Sequence, residues 1–226
     1  HGIYASGAIR AGDQYDSWLA RLDSEGGIVW ESMFDSGFGH DFITSASATG
    51  EGVVVAGIAS LEGGLAEIWT RAYDDAGSIL WTHGQAINDG AIYSAGPGLA
   101  SSPDRLVVGF YTLSQQGQLE DLLMAFPSGG SAPNWTRTYP RTSSGIVGVA
   151  LAPGGEIAVV TQIVPEGLGV RRLTSTGEPL WSSTECTGSS GQSVAVDSQG
   201  DVVVIGYGQG AVGENIRLCK FAADGT

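Results

Sequence analysis

A hairpin motif that recurs along the whole chain places the tightest limit on how this sequence can fold. In its clearest copy, Glu67 to Trp81 (EIWTRAYDDAGSILW), an extended run leads through a DDAG turn into a second run that ends on an aromatic side chain. This pattern predicts two antiparallel strands joined by a tight turn. Related copies end at Trp30, Trp135 and Trp181, so the four tryptophans follow one another at intervals of 46 to 54 residues. An internal period of this length predicts a repeat architecture.

A second landmark, an apolar run that ends near a glycine, precedes each hairpin. The run ends at Gly7, Gly57, Gly109, Thr161 and Gly206 in five successive copies. Ahead of the last four runs lies a segment of small and apolar residues, followed by a turn rich in Gly, Asp, Ser or Pro. Each complete repeat therefore holds four short strands. The first copy lacks the innermost strand, and the last copy lacks the outermost one.

Four-stranded antiparallel units at this period predict an all-β fold of the β-propeller type. The apolar runs, such as GVVVAG and DVVVIG, hardly alternate with polar residues. They therefore need cover on both faces, which blades stacked around an axis provide and a sandwich does not. We expect one domain over residues 1–226, either a five-bladed ring or part of a larger one, with its first and last blades incomplete. The approximate blades are 1–37, 38–88, 89–140, 141–187 and 188–226.

The segments SVAVDSQGDVVVIGYG, NIRLCKFAADG and WLARLDSEGGIVW resemble the SBBP-type bacterial β-propeller repeat and, more distantly, NHL-like and PQQ-like repeats. The resemblance covers nearly the whole chain in five copies. It implies a propeller that is exported or exposed on a bacterial cell surface, and it carries over no catalytic residue. The third copy departs from the pattern at Pro127 and in the longer SGGSAPN link, and the fourth has Thr161 in place of glycine.

Charge and composition narrow the range of partners. The chain holds 24 acidic and 10 basic residues, a net charge of −14, which repels nucleic acid and anionic lipid surfaces. No run reaches the roughly 18 apolar residues of a transmembrane helix. Because the sequence starts without methionine, directly in a strand-like run, we expect a mature or excised segment of an extracellular or cell-surface protein. Further chain or another subunit should complete the end blades, since exposed strand edges attract pairing.

No short motif in the sequence indicates catalysis. There is no GxSxG elbow, no HExxH helix and no Cys-His pair placed by sequence. His40 and His83, near Asp41 and Asp89, offer ligands for a transition metal, but they lack the short fixed spacing of a metal motif, and we favour solvated loop histidines over metal ligands. We expect no cofactor. Low-affinity calcium binding by the acidic turns DSEGG, DDAGS and DSQGD stays open beside a purely backbone role.

Three functions fit the sequence: a non-catalytic extracellular scaffold or interaction propeller, a glycan-binding propeller, and an enzyme with a site at the central channel. A lectin should repeat its polar and aromatic loop residues in register, whereas these loops differ in length and chemistry. We therefore favour the first function, with a protein or glycan partner. The widest loops, residues 60–67 and 112–121, are the candidate binding loops. Their candidate contact residues are Ser60, Leu61, Glu62, Glu67, Thr112, Gln115, Gln116 and Gln118.

Two cysteines allow a single bridge. Cys186 ends the outer strand of the fourth copy, and Cys219 lies in the third strand of the fifth copy. The two side chains either form a disulfide across a blade junction or serve as two small buried apolar residues.

Overall fold

The described residues of the chain form eighteen β-strands arranged in five antiparallel sheets. The computed structural model describes residues 2–87, 98–113, 119–140, 145–163, 167–186, 189–210 and 213–226. The all-β propeller fold predicted from the repeat is confirmed. Three sheets have four strands each, and the first and last sheets have three.

The strands follow one another in chain order within each sheet. The first sheet holds β1 (Ile3–Ala11), β2 (Gln14–Leu22) and β3 (Ile28–Phe34), and the second holds β4 (Asp41–Ala48), β5 (Gly52–Ser60), β6 (Ala66–Asp74) and β7 (Ile79–Ile87). The third holds β8 (Gly98–Ser101), β9 (Arg105–Leu113), β10 (Leu119–Pro127) and β11 (Trp135–Pro140). The fourth holds β12 (Gly145–Leu151), β13 (Ile157–Ile163), β14 (Gly167–Leu173) and β15 (Pro179–Ser183). The fifth holds β16 (Ser189–Val196), β17 (Val202–Gly210) and β18 (Gly213–Phe221).

Contacts between the sheets run from each inner strand to the next. Strand β4 contacts β8, β8 contacts β12, and β12 contacts β16, while β1 and β2 of the first sheet also contact β4. The sheets are therefore blades whose strands a, b, c and d run outward from a common axis. The first sheet supplies strands b, c and d, and the fifth supplies strands a, b and c, as the strand count in the sequence predicted.

The b strands of the second, third and fourth blades are buried on both faces. In β5, all eight residues from Gly52 to Ala59 are buried. Val53 and Val55 pack with Leu19 of the first blade, whereas Val54 and Ile58 belong to a cluster that reaches into the third blade. Removing this apolar surface from water stabilises the fold by roughly 25 cal/mol per Å². Burial from both sides explains why the sequence of the run shows no polar alternation.

Each outer-strand tryptophan packs against the next blade along the chain. The indole Nε1–H donates to a backbone oxygen of the next blade's c–d turn in three blades: Trp30 to Asp75 at 3.0 Å, Trp135 to Ser175 at 3.2 Å, and Trp181 to Ala223 at 2.9 Å. Trp81 instead stacks on Phe126 of the third blade, with ring centroids 5.8 Å apart. The indoles thus bury apolar surface and satisfy their polar atom at one junction.

The c–d turn is built to receive that tryptophan. Its glycine lies in the left-handed region, with φ of 85° at Gly77 and 94° at Gly225. A Cβ on Gly77 would come within 2.8 Å of the Trp30 ring. At the start of the turn, Oδ1 of Asp74 accepts backbone N–H groups from Ala76 and Ser78, at 2.9 and 2.7 Å. The same arrangement recurs at Asp23 and Asp197.

The substitution at Thr161 is compensated across the sheet. In the second blade Gly57 lies opposite Trp69, and a Cβ on that glycine would come within 2.6 Å of the indole. In the fourth blade Thr161 lies opposite Gly169, so the small residue has moved to the neighbouring strand. The blade therefore keeps its volume at this position although the repeat glycine is missing.

A disulfide joins the fourth and fifth blades. Cys186 follows β15 and bonds to Cys219 of β18, with the two Cα atoms 6.3 Å apart. Of the two arrangements that the sequence left open, the structure has the bridge.

The described end blades expose apolar side chains on their outer faces. On the fifth blade Ile216 is 80% exposed and Leu218 is 67% exposed, and Ile205 and Tyr207 of the neighbouring strand lie beside them. Ile3 and Ile9 are exposed on the first blade. The inner blades have no such faces among the described residues of their b strands, because a neighbouring sheet covers each side.

Among the described residues, no helix is long and apolar enough to cross a lipid bilayer.

Two glycine substitutions separate backbone strain from blade packing. Gly26 and Gly77 occupy the same turn position with φ of 85°, but a Cβ would lie within 4 Å of a tryptophan only at Gly77. Gly26→Ala should lower the free energy of unfolding by about 1 to 2 kcal/mol through left-handed strain. Gly77→Ala should lower it by a further ~1 to 3 kcal/mol through overpacking. Urea denaturation measures both, and Gly154→Ala, with open space and ordinary φ, is the control. Equal losses at both turns would contradict the packing role of Trp30.

Reduction of the disulfide should destabilise the junction of the last two blades. For a sequence separation of 33 residues, the chain-entropy model gives roughly 3 to 4 kcal/mol. Urea denaturation of the wild type with and without reductant, and of the Cys186→Ser/Cys219→Ser variant, measures the loss. If reductant also shifts the transition of the double variant, the effect does not come from this bridge.

Candidate functional site

The antiparallel strands divide the molecule into two faces. The turn face carries the a–b and c–d turns, for example residues 49–51 and 75–78 of the second blade. The loop face carries the b–c loops and the d–a connections between blades, for example residues 61–65 and 35–40. The predicted partner-binding loops lie on the loop face.

The inner strands enclose an axial cavity of about 470 Å³. Its described lining is small, apolar or neutral, and includes Thr44, Ser45, Gly98, Gly148, Gln192 and Ser193. None of the described lining residues is a histidine, cysteine, carboxylate, lysine or arginine. Its hydroxyl side chains, such as Thr44 and Ser193, have no imidazole, amine or carboxylate beside them in the described lining to act as a general base.

A groove of about 720 Å³ runs along the turn face of the first three blades. At its edge the Tyr4 hydroxyl donates to Oδ1 of Asp75 at 2.8 Å, and Nη1 of Arg21 donates to the Asp75 backbone oxygen at 2.8 Å. Burial, together with the Asp75 carboxylate, raises the pKa of Tyr4 to about 12. These hydrogen bonds join the first blade to the second, and the polar groups that make them are bonded to each other.

Three aspartates meet on the loop face between the first two blades. Asp16 lies near the start of β2, Asp35 directly follows β3, and Asp41 begins β4. Pairing of Ser17 with Phe34 brings Asp16 beside Asp35, and the d–a connection then returns the chain to Asp41. One carboxylate oxygen from each aspartate lies within 4.8 Å of the other two. We name Asp16, Asp35 and Asp41 the junction triad.

The backbone holds two members of the triad in place. Asp41 is fully buried, and its carboxylate accepts the N–H groups of Ser36 at 2.6 Å and Ser60 at 3.2 Å. Asp35 is exposed and accepts the N–H of Gly37 at 2.7 Å. Burial raises the pKa of Asp41, and the nearby Asp35 carboxylate adds to the rise, although both backbone donors act in the opposite direction. The triad concentrates negative charge that burial disfavours.

Three aromatic rings form a separate cluster at the same blade junction. The centroid of Tyr15 is 5.6 Å from that of His40 and 6.1 Å from that of Phe42. Nδ1 of His40 accepts the Tyr15 N–H at 3.2 Å, which fixes the imidazole against the first blade. Tyr15 is 41% exposed, so one ring of this group reaches the surface.

The b–c loop of the second blade is tied to the same junction. Ser60 donates its N–H and its hydroxyl to the His40 backbone oxygen, at 3.2 and 3.0 Å. The N–H of Leu61 donates to the Leu65 oxygen at 2.8 Å, which closes the loop around a single 3₁₀ turn that contains Glu62. Glu62 and Leu65 are exposed at the tip. The loop therefore presents one carboxylate and one apolar side chain to solvent.

The predicted loops are shorter in the structure than in the sequence pattern. Glu67 lies in strand β6 and Thr112 in strand β9, because the ladder of backbone pairs continues to Ser60 and Ala66 in the second blade and to Leu113 and Leu119 in the third. Ser60 is paired too, as the last residue of β5, so the candidates Ser60, Glu67 and Thr112 are strand residues and not loop residues. The candidates Gln115, Gln116 and Gln118 lie outside the described residues.

The histidine-based metal hypothesis finds no support in the described residues. His83 lies in β7, with its ring 5.2 Å from that of Phe126, and His40 lies in the first d–a connection. The group of possible metal ligands found in the described part of the chain contains three aspartates and no histidine. Asp89 lies outside the described residues. The acidic turns use Asp23, Asp74 and Asp197 to accept backbone N–H groups.

The triad was missed at the sequence level. A usable signal was present: aspartates occur near the ends of three successive strands, at positions that the alternating strand directions bring to one face. That signal requires the blade register, which the sequence pattern predicts only approximately.

Comparison with known proteins establishes the fold. No family model matches the sequence, and no curated protein matches it. A protein of unknown function from Bacteroides caccae is 14% identical, with a TM-score of 0.53 over 97% of this chain and 73% of that one. XC5397 from Xanthomonas campestris, described as a gluconolactonase, is 16% identical, with a TM-score of 0.50 over 94% and 71%. A subtype N11 neuraminidase-like protein of A/flat-faced bat/Peru/033/2010 is 10% identical, with a TM-score of 0.53 over 96% and 72%. At these identities the likeness is to the β-propeller fold alone.

The raised pKa of Tyr4 gives a prediction for alkaline solution. Because the folded pKa is about 12 and the ordinary value is 10.0, Tyr4 favours the folded state fully below the lower value, and this contribution is lost as pH rises through the higher value. Tyr4→Phe should therefore lose less stability than the wild type between these two pH values. Urea midpoints across this range test it, with the exposed Tyr207→Phe as control. An unchanged alkaline slope in Tyr4→Phe would contradict the assignment.

Proposed function

We propose that this chain is a non-catalytic binding or structural module of an exported bacterial protein, built from SBBP-type propeller repeats. One observation carries the proposal: the residues that recur from blade to blade are engaged in contacts between blades, while the sequences of the connecting loops differ in length and chemistry. Function then depends on the residues that do not recur. The partner that we propose is a protein or a glycan outside the cell.

The use of the basic side chains supports this proposal. Arg105 donates to the backbone oxygens of Gly155 and Ser175, at 2.9 and 3.2 Å, in the next blade. Arg137 donates to the Thr176 oxygen at 2.8 Å, and Arg172 is buried in an ion pair. Enzymes commonly use arginine and lysine to stabilise developing negative charge. Here these side chains fasten blades together or pair within them.

The axial cavity supports it as well. Catalytic propellers would be expected to gather histidines, arginines or carboxylates at the axis, whereas the described lining is neutral. The chain is also strongly acidic, with a net charge of −14. This charge favours partners with basic or neutral surfaces over nucleic acid.

The open ends of the arc fit a larger assembly. The apolar outer faces of the first and fifth blades expose Ile3, Ile9, Ile216 and Leu218. Clustered exposed apolar side chains mark surfaces that other protein covers. Further blades of the same polypeptide, or another subunit, would bury them.

Glycan binding is the second candidate function, and one observation favours it. On the loop face, the exposed ring of Tyr15 lies 5.6 Å from the ring of His40. An exposed aromatic ring suits the apolar face of a sugar ring, and the imidazole beside it suits a sugar hydroxyl group. This group does not recur in the described parts of the other blades, so it would form one site and not a ring of equal sites.

A loop exchange tests the proposal. Leu61 to Leu65 are replaced by Gly and Ser residues, and binding is measured on a glycan array and on a panel of purified extracellular proteins. We expect binding to be lost while the urea midpoint stays within error. The matched control exchanges Ser131 and Ala132, which are exposed on the turn face. Unchanged binding after the loop exchange, or turnover in a broad hydrolase screen, would contradict the proposal.

A further inference from the structure

Two carboxylates of the junction triad are buried without a counter-charge. Asp41 is 0% exposed and Asp16 is 7% exposed. No member of the triad takes part in an ion pair among the described residues. The carboxylates that do pair with an arginine or lysine are those of Asp75, Asp121, Glu156, Glu178, Asp197 and Asp201. A buried carboxylate is expensive unless it is paired, protonated or bound to a metal.

Asp16 is the member of the triad whose carboxylate has the fewest stabilising contacts. Its carboxylate has no hydrogen bond or ion pair to any described residue, although the residue as a whole is only 7% exposed. The carboxylate is directed at the other two, since its ligand oxygen lies within 4.8 Å of theirs. Asp23 and Asp74 of the turns differ, because each accepts two backbone N–H groups. Asp16 therefore has the geometry of a ligand and not that of a turn residue.

We propose that Asp16, Asp35 and Asp41 bind one divalent cation, preferentially Ca²⁺, between the first and second blades. Carboxylate oxygens are hard ligands, which suit Ca²⁺ and Mg²⁺ better than softer transition metals. Ca²⁺ lies about 2.3 to 2.6 Å from its ligands, so two of its ligands stand up to about 5 Å apart. Oxygens spread over as much as 4.8 Å fit around such an ion. Mg²⁺, with ligands at about 2.0 to 2.1 Å and a strict octahedron, is the poorer fit.

The ion would fasten the first blade to the second on the loop face. Asp16 and Asp35 belong to the first blade, while Asp41 begins the inner strand of the second. Asp41 also accepts the Ser60 N–H, so the same carboxylate holds the end of the b strand from which the b–c loop begins. Cation binding therefore orders the face on which the variable loops lie. Three carboxylates with one exposed member correspond to the weak extracellular class of sites, with Kd of roughly 10⁻⁴ to 10⁻³ M.

This inference goes beyond the proposed function and stands independently of any partner. It also differs from calcium binding by the acidic turns, because those aspartates lie on the opposite face and are engaged with the backbone.

The test uses chelator-treated protein with Ca²⁺, Mg²⁺ and Tb³⁺ as probes. We expect Ca²⁺ to bind once by calorimetry and to raise Tm by about 3 to 10 °C at 10 mM ion, as mass action predicts for this affinity range. Mg²⁺ should bind at least tenfold more weakly. Tb³⁺ should show luminescence sensitised by Tyr15 or Trp18, and Ca²⁺ should quench it by competition.

Asp35→Asn distinguishes a cation site from a structural aspartate. Asp35 is exposed, and asparagine keeps an oxygen for the Gly37 N–H, so the variant should fold. We expect Ca²⁺ affinity to fall at least tenfold, while Tm without ion rises because one repelling charge is gone. The exposed Glu51→Gln removes the same charge on the turn face and should change neither quantity. No Ca²⁺ binding by the wild type up to 10 mM, or equal affinity in Asp35→Asn and wild type, would overturn the proposal.

Discussion

The three inner blades of this protein depend on the blades beside them, because their b strands are apolar and buried on both faces. In β5 the odd-numbered Val53 and Val55 pack toward one neighbour, and Val54 and Ile58 pack toward the other. A sheet of this kind that was covered on one side only would leave about half of its apolar surface in water. Stacking of the blades around an axis buries both faces. The hydrogen bond from the Trp30 indole to the Asp75 backbone oxygen fixes the position of the first blade against the second.

Aspartate has two distinct roles in this fold. Asp74 at a c–d turn satisfies its carboxylate with backbone N–H groups, so its charge is solvated by the chain itself. Asp16 at the first blade junction has no such donors and faces Asp35 and Asp41. Aspartates of the turns therefore stabilise the backbone, whereas Asp16, Asp35 and Asp41 gather at one junction. This break in the symmetry of the blades is where we place binding chemistry.

Sequence patterns predicted the blades more accurately than the loops. Glycine and tryptophan recur because the junctions between blades use a left-handed turn and a large indole. Each requirement involves a short stretch of chain, so it is visible as a repeated pattern in the sequence. The ends of strands are harder to predict from sequence, because backbone pairing between strands continues through polar residues as readily as it stops at them. Glu67 and Thr112 lie in strands for this reason. At Thr161 the missing repeat glycine is offset by Gly169 on the neighbouring strand, a compensation visible only once the pairing is known.

The sequence alone determined the four-stranded repeat, the all-β class and the apolar contact between blades, because each arises from periodic spacing along one chain. Only the tertiary structure decided which distant residues meet. Cys186 and Cys219 are separated by 33 residues and join because adjacent blades bring their outer strands together. Asp16, Asp35 and Asp41 meet because antiparallel pairing and the return to the next blade bring three strand ends to one face. Proximity of this kind depends on register, and a change of one residue in register would turn each side chain to the opposite face of its sheet.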